Sequence, residues 1–297
     1  MTVRDGNGWT RCGLGHRHWG RHGAAGLLVA APGPAGQTAV LLQQRSFWGS
    51  HGGTWGPPGG ARDSHESAVH AALREAAEEC AIVPAQVSVH GVHEDDHGGW
   101  TYRTVLASAA APFAVAAASE ETRGVAWVPV AEVSQFRLHP GFAEQWPALA
   151  EVLDPVTIIV DAANVMGARP DGWWRDRAGA ASRLCGELAG VARRGVGDLP
   201  ESAGVPALKR WFPRIVVVLE GAAKAAADQA AAADQAAVAD GRLRVVRAPG
   251  SGDDEIASLA ASLPGHRLVV TADRELRARC LAAGACVTGP RWLLRQL

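Results

Sequence analysis

Two sets of acidic residues carry the chemical content of this 297-residue chain. In the first, Glu75, Glu78 and Glu79 crowd the C-terminal end of a helix within "GGTWGPPGGARDSHESAVHAALREAAEECAI", residues 52–82. The helix dipole and mutual repulsion both disfavour negative charge there, so the cluster is either fully solvated or offset by cations. Residues at i, i+3 and i+4 share a helix face, so the three carboxylates can converge on one or more hard divalent ions. Upstream, Pro57 and Pro58 stiffen the approach, and Gly59 and Gly60 allow close passage of the backbone. The Gly59 carbonyl, beside the helix, can complete a metal shell. In the second set, Asp161 ends "VTIIVD", Glu220 ends "IVVVLE", Asp253 and Asp254 follow "RVVRAPGSG", and Asp273 follows "LVVTA". Asn164 stands three residues past Asp161, where a turn can aim it inward. Carboxylates gathered around one sheet edge repel unless a cation binds, and such an ion can activate water against a phosphodiester.

The elements that must position these groups follow two grammars. In the first half, strands are expected at Ala25–Ala30, Thr38–Gln44, Val87–His93, Tyr102–Ala107 and Val125–Val128, with helices at Ser64–Cys80 and Phe142–Leu153. Asp63 is the expected N-cap of the first helix, with Glu66 at N3 as a capping box. Val69, Leu73, Ala76 and Cys80 form a narrow apolar stripe, and the three glutamates point away from it, to solvent or into a cleft. From Val156 the order becomes strand, helix, strand, helix. Continuous apolar strands such as Ile215–Leu219 imply a parallel sheet with helices on both faces. Leu153 to Pro155 reads as a short hinge between domains at 1–153 and 156–297. "AAADQA", repeated in tandem over 225–236, reads as an extended surface helix without chemistry.

Composition narrows the class. Apolar residues make up 47% and charged residues 20%, so a globular fold is expected and wholesale disorder is excluded. A formal net charge of -1 provides no global attraction to nucleic acid or anionic lipid, so any polyanion site must be local. The five scattered cysteines (Cys12, Cys80, Cys185, Cys280 and Cys286) form no C-x-x-C pair and fit reduced thiols in a cytoplasm. Ala24–Ala31 has the look of a short signal-peptide core, but it is read as a first strand closed by Pro32 and Gly33. No stretch is long and apolar enough to predict a membrane span. In the N-terminal "CGLGHRHWGRHG", Cys12, His16, His18 and His22 are zinc-competent residue types, but their spacing is not that of a zinc finger. An arm folded against the first strand, or a basic contact for phosphates, is the preferred reading.

Residues 60–82 resemble the Nudix box, G-x5-E-x7-R-E-U-x-E-E-x-G-U with U apolar. Gly60, Glu66, Arg74, Glu75, Ala76, Glu78, Glu79 and Ile82 occupy its positions. Ala81 stands where the family usually has glycine, a small cost unless the helix exit needs a positive φ. The resemblance covers roughly residues 24–150 and implies an α/β/α sandwich around a mixed sheet. The implied activity is magnesium-dependent hydrolysis, with manganese as the alternative ion, of a phosphoanhydride in a nucleotide derivative. It also implies Glu75, Glu78 and Glu79 as metal ligands with the Gly59 carbonyl, and Glu66 with Arg74 as the pair that fixes the box. A glutamate outside the box, Glu120 in preference to Glu121, would assist. "RSFWGSHGGTW" resembles the segment before the box in members acting on nucleoside triphosphates, including oxidised ones. Phe47, Trp48, Trp55 and Trp100 are candidates for stacking on the base, or for core packing.

Residues 156–297 resemble the NYN group of PIN-like ribonucleases through "VDAANVMG", "SGDDEI" and "VTADRELRARCLAAGACVTGP". That resemblance implies a Rossmann-like parallel sheet and a magnesium or manganese cleft. Asp161, Asp253 or Asp254, and Asp273 would bind metal there, with Asn164 orienting substrate or water. Trp173, Trp174, Arg175 and Arg177 are placed to meet single-stranded RNA, or to form a hydrophobic lid. Two further readings stand beside a nucleotide hydrolase with an appended nuclease-like domain. One is an RNA-processing enzyme whose first domain recognises or trims a phosphorylated end, and the other is a non-catalytic nucleotide-binding module.

Overall fold

The computed structural model describes residues 4–33, 36–48, 51–226 and 241–297. It divides into two compact units, Met1–Asp154 and Pro155–Leu297. Most of the tandem "AAADQA" segment lies outside the described residues.

The first unit opens with a hairpin, β1 (Trp9–Arg11) and β2 (Arg17–Trp19). A mixed sheet follows, built on β3 (Ala24–Pro32), whose residues Ala24–Ala31 are all buried. β3 runs antiparallel to β4 (Thr38–Arg45) and parallel to β8 (Thr101–Ser108), which pairs in turn with β7 (Ser88–Asp96). The short β5 (Trp55–Gly56) and β9 (Thr122–Pro129) both pair with β4, and β6 (Gly59–Ala61) pairs antiparallel with β3. Helix α1 (Ala68–Cys80) packs against β3, β6 and β8. A second helix, α2 (Pro140–Ala150), begins on proline at its first turn and buries Phe142, Trp146 and Leu149. It starts earlier and stops earlier than the expected Phe142–Leu153.

Helix α1 departs from expectation in three ways. It begins at Ala68, not Ser64, because the Asp63 carboxylate is taken by the Gly6 N–H at 2.7 Å. Ser67 caps instead, its hydroxyl accepting from the His70 N–H at 3.2 Å. Only the return half of the predicted box forms, with the Asp63 N–H donating to Glu66 at 3.1 Å. The buried face is also rotated. Ala68, Ala72, Ala76, Glu79 and Cys80 carry it, while Val69 and Leu73 are half-buried. Small side chains let the helix approach the sheet closely, and that brings Glu79 inward rather than away.

The third departure is at the exit. Ala81 adopts a left-handed conformation, φ 56° and ψ 30°, with its N–H on the Ala77 carbonyl and the Ile82 N–H on Ala76. A Cβ in that region is strained by roughly 1–2 kcal/mol, partly offset in a glycine variant by greater unfolded-state freedom. Ala81→Gly is therefore expected to stabilise the protein by about 0.5–1 kcal/mol. Urea denaturation at unchanged slope measures it, and an unshifted or lowered midpoint would refute the strain.

The second unit is a five-stranded parallel sheet. Its strands are β10 (Val156–Asp161), β12 (Arg214–Leu219), β13 (Leu243–Arg247), β14 (His266–Val270) and β15 (Cys286–Thr288), in the spatial order β13-β12-β10-β14-β15. A two-residue β11 (Arg210–Trp211) bridges to Val196. One face, with Ile159, Val216, Val218 and Val269, packs on α5 (Gly252–Ser262) and α6 (Arg274–Ala282). Alternate residues such as Ile158, Val160 and Val217 point the other way, the side on which α4 (Arg177–Arg194) meets β12 and β13. The short α3 (Ala162–Gly167) follows β10, and α7 (Pro290–Leu294) closes the chain. Every sheet strand is reached by a crossover, so all carboxyl ends lie along one edge, the usual ligand edge of such sheets.

Candidate active site and a second acidic edge

In the first unit, the box carboxylates occupy three different environments. Glu79 is 6% exposed, and one of its oxygens accepts from Gln43 Nε2 and from the Gly59 N–H, both at 2.8 Å. Gln43 is held by Thr122 Oγ1, which donates to its carbonyl oxygen at 2.8 Å, and the Cys80 thiol donates to the same oxygen at 3.6 Å. Burial pushes the Glu79 carboxyl up to about 7, against the Gly59 and Gln43 hydrogen bonds and with help from the nearby Glu75 charge. Burial likewise pushes the Cys80 thiol up to about 12, so it stays protonated.

Glu75 is half-buried, and burial raises its carboxyl while Arg74 pulls it down. Arg74 forks onto Glu66 with Nε at 2.8 Å and Nη2 at 2.9 Å, reaches the Ala61 carbonyl at 3.0 Å, and contacts Glu75 at 2.6 Å and Glu78 at 3.5 Å. The bidentate geometry holds the Glu66 carboxyl below its ordinary range. Glu78 is the most exposed of the three and is also paired with Arg4.

The glycines before the helix make room for these groups. A Cβ on Gly60 would stand 2.7 Å from the Glu75 carboxylate, and one on Gly59 would meet the β3 backbone at 2.5 Å. Among the described residues, the oxygens of the three box glutamates do not all lie within 4.8 Å of one another. Glu120 and Glu121 are exposed, in a segment tied at both ends to the site. The Ala118 N–H donates to the Glu79 carbonyl at 2.9 Å, and Thr122 holds Gln43. Of the candidate stacking residues, Phe47 and Trp48 are exposed, and Arg123 lies over the Phe47 ring at 4.4 Å. Trp55 packs edge-on against Phe136. Trp100 is buried, donates to the Gly20 carbonyl at 2.8 Å and has no face open to a base.

In the second unit, Asp161 is 5% exposed. It accepts from the Asn164 N–H at 3.0 Å and from Thr271 Oγ1 at 2.8 Å, and burial raises its carboxyl. The Asn164 side chain accepts from the Ala272 N–H at 3.1 Å, tying the first strand end to the one that carries Asp273. Asp273 caps α6. The two aspartates at the start of α5 diverge. The Asp253 carboxyl is raised by burial, then by Asp161, Asp273 and Glu220, so it faces the cluster. Asp254 is exposed and pairs with Arg279 at 2.7 Å. Glu220 accepts from the Gly252 N–H at 2.9 Å. Beside this edge lies a cavity of about 460 Å³ lined by Ala162, Met166, Trp173, Arg177, Glu220 and Gly221. Trp174 is exposed, and Arg177 lies 5.4 Å from the Trp173 ring.

Sequence reasoning did not single out Gln43, Thr122 or Arg4. Gln43 had a signal: it interrupts the apolar run of "TAVLLQQR" and is buried at 2% exposure. Arg4 carries none, since only the fold brings it to Glu78.

The NUDIX domain model matches residues 20–152. A putative 8-oxo-dGTP diphosphatase 3 of Mycobacterium tuberculosis is 46% identical over 151 residues, which are 49% of this chain and 69% of that protein. A nucleoside triphosphate pyrophosphatase/Nudix hydrolase fusion protein of Bifidobacterium longum is 40% identical over 155 residues, 51% of this chain and 32% of that protein. The crystal structure of a Nudix hydrolase from M. smegmatis aligns with a TM-score of 0.46 at 46% identity, covering 50% of this chain and 94% of that one. With 46% identity over a stretch that covers more than two thirds of the M. tuberculosis relative, this chain belongs to the Nudix hydrolase family.

Proposed function

We propose that the first unit hydrolyses a phosphoanhydride of a nucleoside triphosphate, with purine nucleotides oxidised on the base as the leading substrate class. The carrying observation is the Glu79 carboxylate, sunk in the sheet–helix interface, pinned by Gln43 and Gly59, and raised by burial. A buried carboxylate beside a second one is costly unless a cation joins it. The donors present are hard oxygens, the set that suits magnesium or manganese, and Glu75, Glu78 and Glu79 would hold the ion with the Gly59 carbonyl. When bound, it would screen the phosphate charge and lower the pKa of an attacking water. Arg74 holds Glu75 and Glu78 in place through its fork on Glu66, so it positions ligands rather than substrate. Phe47 and Trp48 offer exposed aromatic faces for a base. The substrate class rests on the M. tuberculosis relative, itself described as a putative 8-oxo-dGTP diphosphatase. A screen of the full-length protein with magnesium against 8-oxo-dGTP, dGTP, ADP-ribose and dinucleoside tetraphosphate tests it. Pyrophosphate release with the highest kcat/KM on the oxidised triphosphate is expected. Turnover of ADP-ribose tenfold better than any triphosphate would overturn the substrate assignment.

A second reading concerns Pro155–Leu297. We infer a divalent-metal nuclease site at the carboxyl edge of its sheet, formed by Asp161, Asp253 and Asp273, with Asn164 orienting substrate or water and single-stranded RNA as substrate. Asp253 supports it, because burial first, and then three acidic neighbours from separate strand ends, raise its carboxyl. Asp254, turned to Arg279, leaves the proposed ligand set. Trp173 and Arg177, on the wall of the adjoining cavity, are suited to stack on and neutralise a nucleotide.

A further inference from the structure

A third group of ligand-type side chains lies outside both acidic sites. Cys12, His16, His18 and His97 each offer one atom, and these atoms all lie within 4.8 Å of one another. Cys12 and His16 lie in the knuckle between β1 and β2, His18 lies on β2, and His97 comes from the turn between β7 and β8. His22, the fourth residue suggested by the local sequence, is elsewhere, beside Asp5 at 3.6 Å.

Two of the imidazoles are half-buried, each with one nitrogen that is itself shielded from solvent and left unmatched. His18 Nε2 and His97 Nδ1 have no hydrogen-bond partner. Buried polar atoms are almost always paired, so two orphans in one cluster indicate a missing partner common to both. The opposite nitrogen of His97 lies 3.0 Å from the Asp95 carboxylate. That contact places the proton on Nε2 and turns the Nδ1 lone pair to the cluster, as a carboxylate behind a metal-bound histidine does. The His18 ring is held flat on Trp100, with centroids 3.9 Å apart and planes 10° from parallel.

The backbone is built for the same end. The Cys12 N–H donates to the His16 carbonyl at 3.0 Å and the Gly15 N–H to the Cys12 carbonyl at 3.0 Å, which folds the knuckle tightly around the thiol. Gly13 donates to the Gly98 carbonyl, joining knuckle to turn, and Gly98 and Gly99 take φ of 70° and 79°, which suits glycine.

We propose that Cys12, His16, His18 and His97 bind one zinc ion as a closed, tetrahedral, structural site. One thiolate with three imidazoles is a borderline-soft donor set that suits zinc and not magnesium. Around tetrahedral zinc, ligand atoms stand about 3.4–3.6 Å apart, so a slight contraction of the cluster completes the shell. Four protein ligands leave no open position for substrate. The ion clamps the N-terminal hairpin onto the β7–β8 turn. The residues before that hairpin hold the entry and outer face of α1, through Asp5 on the Ser64 N–H at 2.9 Å, Gly6 on Asp63, and Arg4 on Glu78.

The test is metal analysis of the full-length chain, purified without a polyhistidine tag and dialysed against EDTA. Wild type is expected to retain about one zinc per chain, and Cys12→Ser and His97→Ala less than about a tenth of that. Cobalt substitution should give the visible bands of a tetrahedral ion and a thiolate charge-transfer band that Cys12→Ser removes. Should those variants fail to fold, His16→Asn, at an exposed ligand, should still weaken zinc binding at least tenfold in a chelator competition. Wild type that takes up no zinc or tetrahedral cobalt on reconstitution would overturn the site. So would full zinc occupancy in the variants.

Discussion

Glu79→Gln is expected to lower the proposed nucleoside triphosphate hydrolysis by about a thousandfold at saturating magnesium, a barrier increase of about 4 kcal/mol, while the protein stays folded. The amide oxygen can take over the hydrogen bonds from Gln43 and Gly59, but the negative charge that would hold the ion is gone. The same substitution has an opposite effect on metal-free stability. The Glu79 carboxyl is raised from the usual 4.5 to about 7, so its ionisation in the fold opposes folding progressively as pH rises between these values. In EDTA above pH 7 the glutamine variant is therefore expected to be more stable than wild type, by up to about 3 kcal/mol, with the difference closing toward pH 4.5. Paired rate measurements and urea titrations across that range decide it. Near-wild-type turnover, or a variant less stable than wild type in EDTA at pH 8, would remove Glu79 from the role given to it.

Asp161→Asn is expected to abolish metal-dependent RNA cleavage by the second unit and to leave nucleotide hydrolysis by the first unchanged. The asparagine keeps an oxygen for the Asn164 N–H, and Thr271 can turn its hydroxyl to accept from the new amide. The buried charge disappears together with its burial penalty, so the metal-free variant should be no less stable than wild type. Both activities are assayed on Asp161→Asn and Glu79→Gln proteins side by side. Loss of the nucleotide activity in Asp161→Asn, or an unchanged ribonuclease activity, would refute two separate sites.

Legibility in the sequence followed the range of the interaction. Apolar strands such as "VTIIVD" and "RIVVVLE" are local signals, and the observed β10 and β12 lie within them. The start of α1 was misplaced because Asp63, a good cap by type, is claimed by Gly6 from 57 positions away. The inward turn of Glu79 was hidden because valine and leucine outweigh alanine in a hydrophobic stripe, whereas close helix–sheet packing selects the smallest residues. Ala81 could be judged only once the backbone angle was known. The choice between Asp253 and Asp254 needed Arg279, which the sequence places on a different helix. His97 ends the ligand-rich run "HEDDH" at 93–97, but only the fold brings it beside Cys12, His16 and His18.

The parallel pairing of β3 with β8 has a consequence for the order in which the first unit assembles. The β3–β4 and β7–β8 pairs are close in sequence and can form early, but β3 meets β8 only by joining residues near 24 to residues near 102. Closing that loop costs chain entropy before any contact rewards it, as does the pairing of β4 with β9 across a similar span. Helix α1 lies inside the loop and docks on both strands, so its glutamates reach their final places only after closure. Until then they remain in water, where salt screens their repulsion.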